Sequence, residues 1–482
     1  MTSVMEEYVM EYQYEDDAIR GLERELMRQG YSRRDVIKLA GALGLTGLLS
    51  ACGLSTGQNT ATKSPYSISD GSSLQWPRTI VAEPTSPIQL SVAHSWDAIF
   101  WTRQVQFDTL FMKRHPNIII KAENTPFSNY IQKYIAQAAG GTLPDIIYCQ
   151  YAWAQQLIQP EVIEPLDDYI SRQPDFNLGD FTKPSLDFYR RDGKLYGIVY
   201  DCGPRMLFYN KQLFDQAGVK YPTNDWTLED LKQAATKLAS GKGRTKIFGL
   251  LSLPTSGDAS MAPGYLFPFG ARYVNEPQET KSYIDQPEAV SAMEWWWELM
   301  FKYNAVPTPA EQLTLLQDAF TSGRSAMMMA GSWSTPGLTQ NAHFKWDMAL
   351  WPQGPKGRII DTAGSAYMIP KSTENKNVAW IYLNEYLSPA GQSFMWGMTG
   401  RGSPARKSAW PSYFASKFAP RGARLVYEAL NNYATNQIMY QPRVTDTAGP
   451  VWDRVVAGDI TIADGLHQIT QQIDPILALN AS

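Results

Sequence analysis

The sequence predicts an α/β protein with two lobes, each a mostly parallel sheet flanked by helices. Its 482 residues exceed what one hydrophobic core usually organises, which favours two domains or lobes. Strand-like and helix-like segments alternate over residues 88–148 and again over residues 206–252. Alternation of this kind is typical of parallel strands whose connecting helices cover both faces of a sheet.

The N-terminal segment 1–51 has the pattern of an export signal. After an acidic extension, a pair of arginines opens Arg33–Lys38 and is followed by thirteen uncharged residues, Leu39–Ala51, too few for a good membrane span. A basic flank before an apolar centre matches a signal peptide. The arginine pair matches a twin-arginine signal, although Val36 stands where phenylalanine is usual. We therefore expect segment 1–51 to direct export.

Residues 52–87 are predicted to anchor and tether the folded part. Leu49–Cys52 resembles a lipobox, in which Cys52 becomes the lipidated first residue after cleavage. Gly53–Pro87 is rich in Ser, Thr, Gly, Gln and Pro, which is typical of a flexible linker. By resemblance, such a cysteine carries more than one acyl chain, which gives stable anchoring. The protein is therefore expected on the outer face of the cytoplasmic membrane, exported and lipid-anchored.

The first predicted lobe begins with three strands separated by two helices. The strands are Ile88–Ala93, Ile118–Ala122 and Asp145–Tyr148, and the helices are Ala98–Lys113 and Ser128–Ala139. Ligands of parallel sheets bind beyond the carboxyl ends of the strands. Segments His94–Asp97 and Gln150–Trp153 follow two of these ends. The sequence therefore predicts a binding site at this edge of the sheet.

A stretch near the middle of the chain is predicted to connect the two lobes. Lys194–Tyr200 and Met206–Tyr209 are strand-like. Asp201–Arg205 between them is predicted as a polar break, because a glycine and a proline interrupt the strand pattern. Asn210–Gly218 is a predicted helix that ends at its glycine, and Thr227–Asp230 has capping-box spacing before the next helix.

Later segments continue the same alternation. They are the helix Leu228–Ser240, the strand Ile247–Ser252, the loop Met261–Tyr273, a helix from the N-cap Asp285 to about Tyr303, the strand Ala326–Met329, the helix Asn377–Leu387 and terminal helices within Val455–Leu477. The helix after Asp285 contains Trp295, Trp296 and Trp297. Successive helical positions diverge by about 100°. Three consecutive indoles therefore cannot form one flat surface, and core packing is predicted for them.

These segments resemble, in order, the family 1 extracellular solute-binding proteins, the sugar-binding components of bacterial ABC importers. The matching stretches are LPDIIYCQYAWAQQLI, YGIVYD with MLFYNKQLFDQAGV, PTNDWTLEDLKQAATKL, Phe320–Trp333 and Gly400–Ala409, and the resemblance covers about residues 86–480. It implies a two-lobed periplasmic-binding-protein fold, type II-like, with a multi-strand hinge. Residues 88–202 and 357–398 would form the first lobe, and residues 203–356 and 399–482 the second.

Ten residues are candidates for contact with a ligand. A sugar requires hydrogen bonds to its hydroxyls, strongest from charged groups, and an aromatic face for its C–H surface. The candidates are Trp96, Asp97, Gln150, Tyr151, Asp201, Arg205, Tyr265, Trp333, Tyr367 and Arg401. By resemblance Trp333 stacks on the sugar ring. Gln150 and Tyr151 occupy places where the family often has an acidic residue. That departure leaves the identity of the ligand open.

The implied function is to capture a mono- or oligosaccharide in the cleft between the lobes and deliver it to an ABC transporter permease. No catalytic residue, cofactor or metal site is predicted, since the four histidines are scattered without ligand spacing. The net charge of −4 gives no electrostatic reason to expect nucleic acid binding. We expect a monomer whose partners are the sugar, the permease subunits and, through Cys52, the membrane.

Three alternatives remain open at this stage. The ligand could be a polyol or a solute of the glycerol phosphate type. The chain could be a secreted glycan-active enzyme, which would need two carboxylates facing the sugar about 5–10 Å apart. It could also be a receptor that partners a membrane sensor. A separate hypothesis concerns Cys149 and Cys202, which follow predicted strands of the first lobe: they are either bridged, as export permits, or two small buried hydrophobic residues.

Overall fold

The computed structural model describes residues 73–182, 186–251, 263–276, 279–308, 311, 315, 319–435 and 443–481. The predicted signal peptide, Cys52 and residues 53–72 of the predicted tether lie outside the described residues. Among the helices within these ranges, none combines the length and the apolar character that crossing a membrane requires.

The described part of the chain contains strands from residue 88 to residue 435. They are β1 Ile88–His94, β2 Ile118–Asn124, β3 Ile146–Gln150, β4 Arg190–Arg191, β5 Lys194–Leu195, β6 Ile198–Asn210, β7 Phe248–Leu251, β8 Ser325–Gly331, β9 Trp346–Ala349, β10 Ile360–Met368 and β11 Ala434–Thr435.

Helices of the described part connect these strands and then close the chain. They are α1 Ala98–Arg114, α2 Phe127–Ala139, α3 Ala154–Ile158, α4 Asp167–Arg172, α5 Lys211–Ala217, α6 Leu228–Leu238, α7 Pro263–Leu266, α8 Pro287–Trp297, α9 Thr335–Asn341, α10 Lys376–Tyr386, α11 Pro389–Gln392, α12 Trp410–Phe414, α13 Ala423–Asn432, α14 Arg443–Ala457 and α15 Ile462–Leu477.

One sheet runs through the described part in the order β2-β1-β3-β10-β6-β8-β7, with β11 beside β10 and β9 beside β6. Its two ends are parallel, because β1 pairs in parallel with β2 and β3, and β7 pairs in parallel with β8. In the middle, β6 and β10 pair antiparallel with each other. The helix-flanked, mostly parallel architecture predicted from the alternation of segments is confirmed.

Strand β6 links the two ends of the sheet, and here the sequence prediction was wrong. Residues 201–205 do not break the strand pattern: β6 runs for 13 residues without interruption. Its first half pairs with β10 up to Pro204, and its second half pairs with β8 from Arg205 onward. Since the strand changes partners where Pro204 lacks an N–H, the proline is tolerated inside a long strand.

Local capping signals were interpreted correctly except at one helix. The Asn210 side chain accepts hydrogen bonds from the first turn of α5, and Gly218 ends that helix with a left-handed φ of 59°. Thr227 and Asp230 form the predicted capping box of α6. For α8, however, the N-cap is Gln286, not Asp285, and the last turn, Glu298–Lys302, is a π-helix.

Aromatic side chains fill much of the core, and one member of the tryptophan triplet is among them. In the tryptophan triplet only Trp296 is fully buried, and it contacts Tyr265 edge to face at 4.8 Å. Around β6, Tyr200 stacks on Trp396 at 4.9 Å and tilts against Tyr367 at 5.0 Å. Packed rings of this kind make the wall behind the carboxyl ends of β1 and β3 rigid.

The cysteine bridge considered for Cys149 and Cys202 is not formed, and both are buried as free thiols. Strand β10 lies between them, because Cys149 is opposite Ala366 and Cys202 is opposite Gly364. Two interstrand spacings separate their backbones by roughly 10 Å. A disulfide requires Cα atoms within about 7 Å. The alternative of two small buried hydrophobic residues is the one that the structure supports.

Candidate functional site

The carboxyl end of β1 presents Trp96 and Asp97 in a fixed geometry. The backbone N–H of Trp96 donates to Asn124 Oδ1 at 2.7 Å, and Asn124 Nδ2 donates back to the Trp96 carbonyl at 3.0 Å. Asp97 is the N-cap of α1, since its Oδ1 accepts from the Phe100 N–H at 2.9 Å. The turn between strand and helix is therefore held by side chains as well as by backbone.

Arg401 reaches this turn from the loop that precedes α12. Its Nη1 donates to Asp97 Oδ2 at 2.7 Å, and its guanidinium lies over the rings of Phe100 and Trp96 at 4.3 and 5.3 Å. Burial by itself would raise the pKa of the Asp97 carboxyl, but the charge and hydrogen bond of Arg401 outweigh that effect and lower it. Asp97 therefore stays ionised and remains half exposed to a ligand.

Asp201 on β6 is the second carboxylate of this corner. Its Oδ1 accepts from the Ser365 N–H at 2.8 Å. Enclosure by protein raises the pKa of Asp201 to about 7, although the positive charge of Arg401 acts in the opposite direction. Near neutral pH this carboxyl can thus donate or accept a hydrogen bond, which suits a ligand hydroxyl.

The Trp333 ring packs on the backbone of β6 at Gly203, two residues along the strand from Asp201. Its ring rests against the backbone at Gly203 and Gly331: an added Cβ would come within 2.9 Å of the ring at Gly203 and 1.9 Å at Gly331. Glycine is thus required at Gly331 for this close approach. The preceding Ser332 Oγ lies 2.6 Å from Ser403 Oγ, so the Trp333 turn is joined to the loop that carries Arg401.

Arg205 and the three candidate tyrosines are placed away from solvent. Burial alone would lower the pKa of Arg205, but the Asp361 carboxylate raises it through an ion pair of 2.5 Å. Tyr151 and Tyr265 are 8 and 4 % exposed. Tyr367 has no exposed surface, because its position on β10 faces the core and its hydroxyl lies 2.5 Å from His94 Nδ1. In this structure Tyr367 supports the site from behind and offers no surface to a ligand.

The remaining candidate, Gln150, has a local structural role. Its side chain accepts from the Ala152 N–H at 2.9 Å and caps the short turn Tyr151–Trp153. The predicted set therefore divides in two. Asp97, Asp201 and Arg401 gather at one corner, with the Trp333 ring on the adjoining β6 backbone at Gly203 and Gln150 at the end of β3. Trp96 is only 8 % exposed and its indole N–H donates to Gln104 Oε1 at 3.2 Å, so it lies behind this corner. The others form the surrounding wall.

Two aromatic residues near this edge, the exposed Phe127 and the half-buried Trp153, were not among the ten candidates. Phe127 opens α2 just after β2, and Trp153 closes the turn after β3. Their ring centroids are 4.8 Å apart. The strand-end rule named the segment Gln150–Trp153 that contains Trp153, but it was not applied to the end of β2, where Phe127 lies.

Metal chemistry has no support in the described ranges. No group of three or more His, Cys, Asp or Glu side chains there is placed to hold a metal ion. His94 is fully buried, and burial lowers its pKa to about 3, so the ring is neutral at physiological pH.

Comparison with known proteins gives a consistent result. The family model described as bacterial extracellular solute-binding protein matches residues 107–417. A putative binding protein of Brucella abortus is 26 % identical over 277 residues, 57 % of this chain and 66 % of that protein. The chain thus spans just under two thirds of that relative's length.

Two further similar proteins have descriptions that name a ligand. A lactose-binding protein of Rhizobium radiobacter is 22 % identical over 332 residues, which cover 65 % of this chain and 75 % of that protein. An ABC substrate-binding protein of Listeria monocytogenes, solved in complex with cycloalternan, superimposes with a TM-score of 0.73 at 24 % identity, covering 81 % of this chain and 99 % of that one. The latter likeness shows the fold.

Proposed function

Because this chain belongs to the bacterial extracellular solute-binding proteins, we propose that it binds a carbohydrate between two lobes and delivers it to the permease of an ABC transporter. The lobes would comprise residues 88–202 with 357–398, and 203–356 with 399–482. They would close on the ligand by hinge motion at β6 and β10, and closure would create the surface that the permease reads. No bond is made or broken in this role, and no cofactor takes part.

The placement of Trp333 carries this proposal. Its indole rests on glycine backbone at the end of β8, next to a corner formed by Asp97, Asp201 and Arg401. A sugar ring has an apolar C–H face and a rim of hydroxyls. A flat aromatic surface bordered by charged hydrogen-bonding groups complements both, and charged groups make the stronger bonds to hydroxyls.

The relatives support the same ligand class. The Rhizobium radiobacter protein is a lactose-binding protein, and the Listeria monocytogenes protein was solved with cycloalternan. The two carboxylates of the corner have different environments. Asp97 accepts a hydrogen bond from Arg401 and caps helix α1. An Asp97 carboxylate kept ionised in this way is suited to accept hydrogen bonds from sugar hydroxyls.

We further propose that the exported chain is held at the membrane through lipidated Cys52 and acts as a monomer. The support is the lipobox-like sequence Leu49–Cys52 and the tether-like composition of Gly53–Pro87. Metabolic labelling with a radioactive or clickable fatty acid tests the anchor: label should appear in the wild type and be lost in Cys52→Ser.

The binding proposal is tested by titrating intrinsic tryptophan fluorescence of the full chain with mono- and oligosaccharides, polyols and glycerol phosphates. We expect a saturable change with one saccharide class. Trp333→Ala should weaken binding about 10- to 100-fold, corresponding to about 1.4–2.8 kcal/mol. Trp297→Ala is the matched control, because Trp297 is a half-buried tryptophan of α8 that packs against Phe301.

Other outcomes of the titration would contradict parts of this proposal. Saturation with glycerol phosphate alone would replace the carbohydrate with an anionic solute. Release of reducing ends from a glycan by the wild type would contradict the non-catalytic role. Equal loss of affinity in both tryptophan variants would place the ligand away from Trp333.

A further inference from the structure

A pair of contacting aromatic residues, Phe127 and Trp153, lies outside the corner described above; we call it the rim platform. Phe127 is 56 % exposed although it is a large apolar residue. Its ring is 4.8 Å from that of Trp153, which is half-buried. Two contacting aromatic rings at the ends of neighbouring strands, one of them largely exposed, offer a flat apolar surface on which a ligand ring can stack.

The rim platform rests on a rigid base. Trp153 stacks on Tyr130 with centroids 5.8 Å apart and ring planes 7° from parallel. Tyr130 has no exposed surface and contacts Tyr148 edge to face at 4.9 Å. A ring backed in this way is held in one orientation before any ligand arrives, which lowers the entropic cost of binding.

The rim platform is continuous with the candidate site. Tyr148 contacts Trp153 at 5.9 Å and Trp96 at 6.5 Å. Phe127 and Trp153 follow β2 and β3, the two strands that pair with β1, and β1 leads directly to Trp96. Tyr148 and Trp96 are only 5 and 8 % exposed, so these contacts run beneath the surface and fix the rim platform at the same edge of the sheet as Asp97.

The surroundings of Phe127 indicate a neutral, hydroxyl-bearing occupant. The first turn of α2 carries no acidic residue and no basic residue. Its polar groups are Ser128 and Asn129, which are exposed and can donate or accept hydrogen bonds. An anionic ligand would find no complementary charge on this turn.

We propose that the rim platform is a second sugar subsite, in which Phe127 and Trp153 stack on an outer ring of an oligosaccharide whose inner ring occupies the corner at Trp333. This inference rests on the proposed function and narrows it, because it assigns the ligand at least two sugar rings. Binding affinity should therefore increase with chain length until the rim platform is covered.

The test is calorimetric titration of the full chain with the mono-, di-, tri- and tetrasaccharide of whichever sugar series binds. Phe127→Ala and Trp153→Ala should each lose about 5- to 20-fold in affinity for the longer members and stay within about twofold of wild type for the monosaccharide. Phe127→Tyr, which keeps the ring, should bind like wild type. Ile135→Ala is the matched control, since Ile135 is 40 % exposed on the same helix α2.

The outcomes separate this inference from the function on which it rests. If the affinities of wild type and Phe127→Ala increase equally with saccharide chain length while Trp333→Ala binds more weakly, the subsite is wrong and the proposed function stands. If no member of any series binds to wild type, the function itself is wrong. If Phe127→Ala binds every sugar normally but loses uptake in cells, the exposed ring contacts the permease, and the subsite is overturned.

Discussion

Replacement of Asp108 by asparagine should change how the stability of this protein depends on pH. Asp108 lies on α1 and is 1 % exposed. Its Oδ1 accepts hydrogen bonds from Tyr382 at 2.8 Å and Gln104 at 2.9 Å, while its Oδ2 has no hydrogen-bond partner among the described residues. Burial raises the pKa of Asp108 to about 7, and the two hydrogen bonds offset only part of that effect.

The magnitude follows from linkage between protonation and folding. The folded pKa lies about 3 units above the ordinary value of 3.8. Folding therefore favours the protonated carboxyl, and the benefit, fully present below pH 3.8, is lost as pH rises toward 7. At about 1.4 kcal/mol per unit, the loss amounts to about 4 kcal/mol at most. An asparagine does not titrate, so Asp108→Asn escapes this loss.

His94 acts in the opposite direction over part of the same range. Burial lowers its pKa from 6.5 to about 3, so the folded state holds it neutral and stability falls as pH drops below 6.5. Between about pH 4 and 6.5 the unfolded state gains a proton at His94 while the folded state gains one at Asp108. The two effects cancel in the wild type, and Asp108→Asn should expose the slope of His94.

The assay is urea-induced unfolding of wild type and Asp108→Asn at five pH values from 4 to 8. The free energy of unfolding of the variant relative to wild type should rise by up to about 4 kcal/mol across this range. Asp168→Asn, a change at an exposed carboxylate of α4, is the control and should give a difference near zero. A difference for Asp108→Asn that is constant between pH 4 and 8 would refute the reasoning.

Three further predictions follow from the packing. Gly331→Ala should displace the Trp333 indole, since the new Cβ would lie 1.9 Å from the ring, and should weaken saccharide binding at least 10-fold in calorimetry. Titration of thiols in denaturant without reductant should detect the thiols of both Cys149 and Cys202. If neither thiol reacts, the two cysteines form a disulfide and the structural assignment is wrong. Thr227→Ala removes the capping box of α6 and should lower the free energy of unfolding by about 1 kcal/mol.

Matched controls exist for these changes. Gly337→Ala in α9 introduces a Cβ with nothing within 4 Å, so it should leave saccharide affinity unaltered. Thiols are counted in a Cys52→Ser background, which removes the residue predicted to be lipidated. For α6, Thr227→Ser keeps the hydroxyl and should retain most of the stability that alanine loses. If it does not, the capping hydrogen bond is not the source of the effect.

Periodicity and strand ends carried most of the correct sequence predictions. The alternation of segments located β1 to β3 and their helices within one or two residues, because each has one apolar face or a continuous apolar run. The rule that ligands bind beyond the carboxyl ends of parallel strands selected Asp97, which the structure places beside Arg401; binding of a ligand by these residues stays a prediction. Side-chain caps such as Thr227 are local, and sequence spacing alone reveals them.

The features that could not be predicted from the sequence depend on pairing between strands far apart in the chain. Gly203 and Pro204 look like a break until β10 and β8 are seen to pair with consecutive halves of β6. Tyr367 was chosen as an aromatic residue near a lobe connection, but its strand register turns it into the core toward His94. Phe127 follows a strand end, but only the folded structure shows its contact with Trp153 in the turn after β3.

The most direct test of the account is a crystal structure of the full exported chain with the saccharide selected by titration. The account predicts one sugar ring stacked on Trp333 between the two lobes, with hydroxyls bonded to Asp97 or Asp201. A saccharide bound elsewhere on the surface, with Trp333 uncovered, would contradict the proposed site and with it the proposed function.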